Sequence, residues 1–211
     1  MSTDRALILV DIQNDFVPGG ALAVAEGDAV IPVANRVQQA FDLIVASRDW
    51  HPLDHGSFAA NHPGRSVGDV IDLHGLPQIL WPVHCVQNTS GADFVPGLDI
   101  SRIDRVFLKG TDKEIDSYSA FFDNGHRKST GMGDYLKERG VREVYVCGLA
   151  TDYCVNFTAL DALQLGFNVH LIEDASRGVN LKPQDSANAL EEIRRLGGHI
   201  IRSESLEDQG E

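Results

Sequence analysis

The sequence predicts an α/β fold, a parallel sheet covered by helices on both faces. Short apolar runs recur along the chain, as expected of strands buried on both sides. Stretches with helical hydrophobic spacing separate them, and a parallel return needs a crossover long enough for a helix. The scale is set by 211 residues without repeat, low-complexity run or linker, read as one domain over 1–211 with an acidic tail at about 204–211.

The elements follow in order. Residues 7–10 make the first strand, and Val30, Val33, Ala34 and Val37 form the apolar stripe of a first helix. Residues 43–46 make the second strand. The stretch from about 48 to 102 is loop-rich and holds most of the histidines; loops that long in a compact domain usually carry function. Strands are expected at 106–108 and 144–147. A helix over 151–165 follows, with Cys154, Phe157, Leu160 and Leu163 on its stripe. After a strand at 169–172, a helix opens at Pro183, carries Leu190, Ile193 and Leu196, and stops at Gly197-Gly198. Ile200-Ile201 supplies a sixth strand.

Composition narrows the function classes. Lys plus Arg total 18 against 31 Asp plus Glu, a formal charge of −13. Such a surface repels phosphate backbones and anionic lipid, so neither nucleic acid nor membrane is an expected partner. No apolar run approaches the ~18 residues of a membrane span, and the five apolar residues at 6–10 are too few for a signal peptide. Three cysteines without close pairing suit reduced thiols and a cytoplasmic location. Gly131-Met132-Gly133 lacks a third glycine and a preceding strand, so it makes no dinucleotide loop.

In open parallel sheets ligands bind beyond the carboxyl ends of the strands. Asp11, Asp49 with His51, Lys109 and the turn 148–154 all follow strands, so four sequence regions converge on one edge. Cys154 lies at a helix start, where amide groups and the helix dipole favour thiolate; the alternative is a small core residue. Cys147, inside an apolar strand, reads as core, and Cys85 fits either role. Asp11 is a turn cap or a base for a neighbouring thiol, and Lys109 a solvated strand end or the cation beside it. Asp49-Trp50-His51 alternates, so an extended backbone points Asp49 and His51 the same way. With His84 they could hold a borderline divalent ion, or they are ordinary loop residues.

Taken together, Asp11-Ile12-Gln13-Asn14-Asp15-Phe16, Asp49-Trp50-His51, Trp81-Pro82-Val83-His84-Cys85, Lys109-Gly110 and Gly148-Leu149-Ala150-Thr151-Asp152-Tyr153-Cys154-Val155 occur in order. The set resembles the bacterial nicotinamidase (pyrazinamidase) family of isochorismatase-like cysteine hydrolases, over about residues 5 to 202. Asp-Ser-Tyr-Ser-Ala-Phe-Phe-Asp-Asn at 116–124 and Pro-Gln-Asp-Ser at 183–186 suit the same family.

The resemblance implies a single-domain, six-stranded, mostly parallel sheet with helices on both faces. It assigns Asp11, Lys109 and Cys154 as the catalytic triad, and Asp49, His51 and His84 as ligands of one divalent transition metal. Zinc is the first expectation, with iron or manganese as alternatives. Phe16, Trp81 and Tyr118 match the walls of a ring pocket. A cis peptide before Ala150 turns amides at Ala150 and Cys154 toward the substrate oxygen. Some members carry a further histidine ligand where this chain has Ser57, with His55 two residues earlier, so water or Ser57 completes the shell here. The implied activity is hydrolysis of nicotinamide to nicotinate and ammonia through a thioester, with pyrazinamide as a second substrate, in NAD salvage. The partner is then a small molecule, and the oligomeric state stays open, a homo-oligomer included. N-carbamoyl amidohydrolases share the triad without the metal triplet, and isochorismatases do not use the cysteine. A metal-stabilised binding protein without turnover is the rival from another class.

Overall fold

A computed structural model describes residues 4–209. Met1, Ser2 and Thr3, and Gly210 and Glu211 at the end of the acidic tail, lie outside the described residues. The chain runs β1 (Arg5–Val10), α1 (Val30–Val37), β2 (Ile44–Asp49), β3 (Val70–Leu73), β4 (Leu76–Ile79), β5 (Arg105–Lys109) and α2 (Met132–Glu138). It continues through β6 (Glu143–Leu149), α3 (Asn156–Gln164), β7 (Asn168–Arg177), α4 (Asp185–Arg195) and β8 (His199–Ile201).

Six strands form one sheet in the order β5-β2-β1-β6-β7-β8. All five pairings in it are parallel. Alternate side chains feed two cores. Leu7, Leu9, Tyr145, Cys147 and Ile172 meet Val30, Ala34 and Val37 of α1 on one face. Ile8, Val10, Val144, Val146, Val169 and Leu171 meet Met132 and Leu136 of α2, Ala159 and Ala162 of α3, and Leu190 and Ile193 of α4 on the other. Burying both faces is what permits strands that are apolar throughout.

The chain builds outward from β1 through β2 to β5, then returns to β6 on the other side of β1. The order therefore reverses between β1 and β6, opening a crevice at their carboxyl ends.

Several expected elements need correcting. Asp49 and Lys109 are the last residues of β2 and β5 rather than residues beyond them. β7 reaches Arg177 because a bulge opposite Val146 and Gly148 restarts its pairing with β6. The loop-rich stretch contains the antiparallel β3–β4 hairpin, and α2 was not foreseen. Residues 151–155 form one wide π-type turn before α3. Its extra residue rotates the helix, so the buried face is Val155, Thr158, Ala159, Asp161 and Ala162, while Phe157 is 41% exposed.

Candidate active site

The crevice collects the charged residues that end β1, β2 and β5. Asp11 follows β1 in the left-handed region at φ 48° and is fully buried. Its Oδ1 accepts a 2.6 Å hydrogen bond from Ser47 Oγ on β2, and its Oδ2 lies 2.8 Å from Lys109 Nζ. The ammonium also reaches Asp49 Oδ1 at 2.5 Å, the Ser117 carbonyl at 2.9 Å and Cys154 Sγ at 3.4 Å. One buried cation thus holds two carboxylates and the thiol together. Cys154 arrives from across the crevice, on the turn that leaves β6 through a cis Leu149–Ala150 peptide.

The electrostatics correct one expectation. A helix start by itself favours thiolate. Instead, burial pushes the Cys154 thiol well above its ordinary pKa; Lys109 pulls it down, and Asp11 and Asp49 push it up again. Burial likewise raises Asp11, with Lys109 opposing. For Asp49 burial acts upward too, but the charge of Lys109 is the chief influence against it, and the carboxyl is held well below the usual range. The resting pair is a neutral thiol beside a carboxyl of raised proton affinity.

Asp49 turns its second oxygen to the histidines. Oδ2 lies 3.5 Å from His51 Nε2 and 3.7 Å from His84 Nε2. Each ring has its other nitrogen on a backbone carbonyl, His51 Nδ1 at 2.9 Å from Gly110 and His84 Nδ1 at 2.7 Å from Pro82. Nδ1 is therefore the donor in both rings, leaving both Nε2 lone pairs facing the carboxylate. The three ligand atoms lie within 4.8 Å of one another. Two oriented imidazoles and a carboxylate fit a single divalent ion. Ser57 is buried nearby, but its hydroxyl is engaged by His55 Nδ1 at 2.7 Å, and His55 Nε2 is buried without a partner.

Phe16, Trp81 and Tyr118 wall a cavity that opens on Asp49, His51, His84 and Cys154. Trp81 Nε1 donates to the Tyr118 hydroxyl at 3.0 Å, and Gln78 Nε2 donates to it at 3.2 Å, so the phenol is pinned. Strand-end position brings Asp11, Asp49, His51, Lys109 and Cys154 to one edge, and the family resemblance adds Phe16, Trp81 and Tyr118; other lining residues come from neither. Tyr153, edge-on to Trp81 at 5.0 Å, and Leu22, Asp116 and Val179 also line the cavity. Tyr153 and Asp116 were within reach, being inside the quoted motifs; Leu22 and Val179 carry no signal in their local sequence. Gln13 was quoted without a role. Its Oε1 accepts from the Asp49 amide at 2.8 Å, and its Nε2 donates to the Asp49 carbonyl at 2.9 Å, clamping the peptide of a metal-ligand candidate.

A parallel sheet whose switch point carries Asp, Lys and Cys beside a His₂–carboxylate set defines a class, and the chain belongs to the isochorismatase domain family, whose model matches residues 5–205. Within it, the chain is 53% identical over 200 residues to the nicotinamidase of Escherichia coli, covering 93% of each protein. The solved Acinetobacter baumanii nicotinamidase/pyrazinamidase superposes with a TM-score of 0.95 at 45% identity, over 98% of this chain and 99% of that one. The Pyrococcus horikoshii pyrazinamidase, solved in complex with zinc, gives a TM-score of 0.77 at 42% identity, over 94% and 99%.

Proposed function

We propose that this chain hydrolyses nicotinamide to nicotinate and ammonia, with pyrazinamide as a second substrate, using Cys154 as nucleophile. The observation that carries this is Lys109 Nζ in contact with Asp11 at 2.8 Å and with Cys154 Sγ at 3.4 Å, where Cys154 lines an aromatic-walled cavity. The full-length similarity to nicotinamidases supports the substrate.

The ring stands between Phe16, Trp81 and Tyr118. Asp11, its raised proton affinity suiting a base and its orientation fixed by Ser47, takes the Cys154 proton as sulfur attacks the carboxamide carbon. Lys109 keeps the pair neutralised while negative charge passes from carboxyl to thiolate. Amides at Ala150 and Cys154 receive the developing oxyanion, worth roughly 2.7–4 kcal/mol per donor in comparable sites. Asp11 returns the proton to the departing nitrogen, ammonia leaves, and water cleaves the thioester. A divalent ion on Asp49, His51 and His84, with zinc the first choice, would supply a Lewis acid for the ring nitrogen. The three free cysteines support a reducing, cytoplasmic setting, and the similarity to nicotinamidases supports a role in NAD salvage.

Ammonia release tests the reading. Nicotinamide and pyrazinamide should be hydrolysed, and benzamide, which lacks the ring nitrogen, should lose about a hundredfold in kcat/KM, since sites built for a polar contact reject analogues without it. No ammonia from nicotinamide at all would leave the metal-stabilised binding protein. Equal kcat/KM for benzamide would remove the ring-nitrogen role and leave the cysteine chemistry standing.

A further inference from the structure

The turn that presents Cys154 has a second grip. Asp152 points away from the nucleophile and its carboxylate accepts two successive backbone amides, Val179 N–H on Oδ1 at 2.8 Å and Asn180 N–H on Oδ2 at 2.7 Å. Those residues belong to the segment that links β7 to α4. The segment is otherwise held mainly by itself: the Ser186 amide donates to Asn180 Oδ1 at 3.0 Å, and Asn180 sits in the left-handed region at φ 52°. It hugs the turn closely, since a Cβ on Gly178 would run into Ser186 Oγ and crowd Asp152. Val179, fixed between these anchors, forms part of the cavity wall together with Ala150, Tyr153 and Cys154 of the turn itself.

We propose that Asp152 is a positioning residue: by clamping the Val179 and Asn180 amides it fixes the place of Val179 in the cavity wall, and so sets how large a ring carboxamide the site admits. The inference rests on the amidase reading for its substrate class. Its physical basis is the strength of paired hydrogen bonds from two successive amides to one carboxylate, which fix the backbone that carries Val179, while the Val179 side chain itself rests against the apolar core. The carboxylate touches no reacting atom. Its effect reaches substrate through Val179, so it should fall on binding and size discrimination more than on the chemical step.

The experiment compares Asp152→Ala, Asp152→Asn and Val179→Ala with the unaltered enzyme, using nicotinamide and a ring-methylated nicotinamide. Asp152→Ala should raise KM for nicotinamide about tenfold, with kcat changed about threefold or less, and should lessen discrimination against the methylated ring. Asp152→Asn keeps one acceptor oxygen and should fall between. Val179→Ala should relax the discrimination in the same way. Brief trypsin treatment adds a readout independent of turnover: cleavage after Arg177 should quicken in Asp152→Ala and stay unchanged in Val179→Ala. If Asp152→Ala does not fold, Asp152→Asn carries the same comparison. A loss confined to kcat with KM and discrimination intact would overturn the proposal, as would unchanged trypsin sensitivity in both Asp152 variants. No hydrolysis by the unaltered enzyme would instead defeat the amidase reading, while the trypsin result still judges the clamp.

Discussion

Among single residues, the three cysteines separate by surroundings rather than by burial, for all three are buried. Cys147 packs in the apolar cluster with Leu7, Leu9 and α1, and Cys85 Sγ reaches no closer partner than the Gly91 carbonyl at 3.9 Å. Cys154 alone has a cation at 3.4 Å and a carboxylate beside it. Cys154→Ala should therefore abolish ammonia release, a loss of at least about 10⁴-fold by analogy with nucleophile deletions elsewhere. Cys147→Ala and Cys85→Ala should retain turnover. Intact-mass measurement of enzyme stalled with substrate should show an acyl adduct, absent in Cys154→Ala; substantial turnover by that variant would exclude it as nucleophile. These polar residues were legible because their chemistry is written in residue type and place at strand ends. Leu22 and Val179 were not, because an apolar residue in a loop looks alike whether it lines a cavity or a core. The thiol's charge state was misread for a related reason: helix position shows in sequence, whereas the depth of burial that outweighs it does not.

The elements carry the precision of the site, and the junction after β5 shows how. Gly110 follows Lys109 at φ 63°, a left-handed conformation that costs other residues about 1–2 kcal/mol. Its carbonyl accepts from His51 Nδ1 at 2.9 Å, and a Cβ there would collide with the same imidazole. Gly110→Ala should thus displace His51 while leaving all three ligand side chains present. Metal retained per chain after dialysis should fall, with affinity about 10–100-fold weaker, the usual scale for losing a partner of a ligating histidine. Full retention, by elemental analysis, would show that the carbonyl contact is dispensable. The strands of the central sheet are legible as short apolar runs and α1, α3 and α4 as amphipathic stripes, whereas the seven-residue α2 is too short to show one. The β3–β4 hairpin is not legible either, because Val70 is exposed and the hairpin has no buried alternation to reveal it. The stripe of α3 was misplaced for the same kind of reason: the wide turn at 151–155 shifts its phase by a residue that no hydrophobic pattern announces.

For the whole molecule, stability should depend on pH through groups the fold keeps neutral. Burial pushes the Cys147 thiol up to about 12 from 9.0. Between those values the folded chain holds a proton that the unfolded chain has lost, so this contribution is complete below about pH 9 and drains away as pH rises toward 12. A shift of that size corresponds to something on the order of 4 kcal/mol. Denaturant midpoints should fall across this interval, and less steeply in Cys147→Ala; equal slopes would show that the thiol is not the titrating group. The reversal of strand order between β1 and β6 has a consequence of another kind. Asp11 and Cys154 follow neighbouring strands but lie far apart along the chain, and Lys109 comes from the sheet's edge, two strands away from β1. No contiguous fragment that ends before the turn at 151–155 contains the nucleophile, and no early, local stage of folding can assemble the site, because long-range parallel pairing is the slow step in such topologies. Nascent and partly folded chains are therefore chemically silent, and the reactive thiol meets its base only when the last central strand has docked.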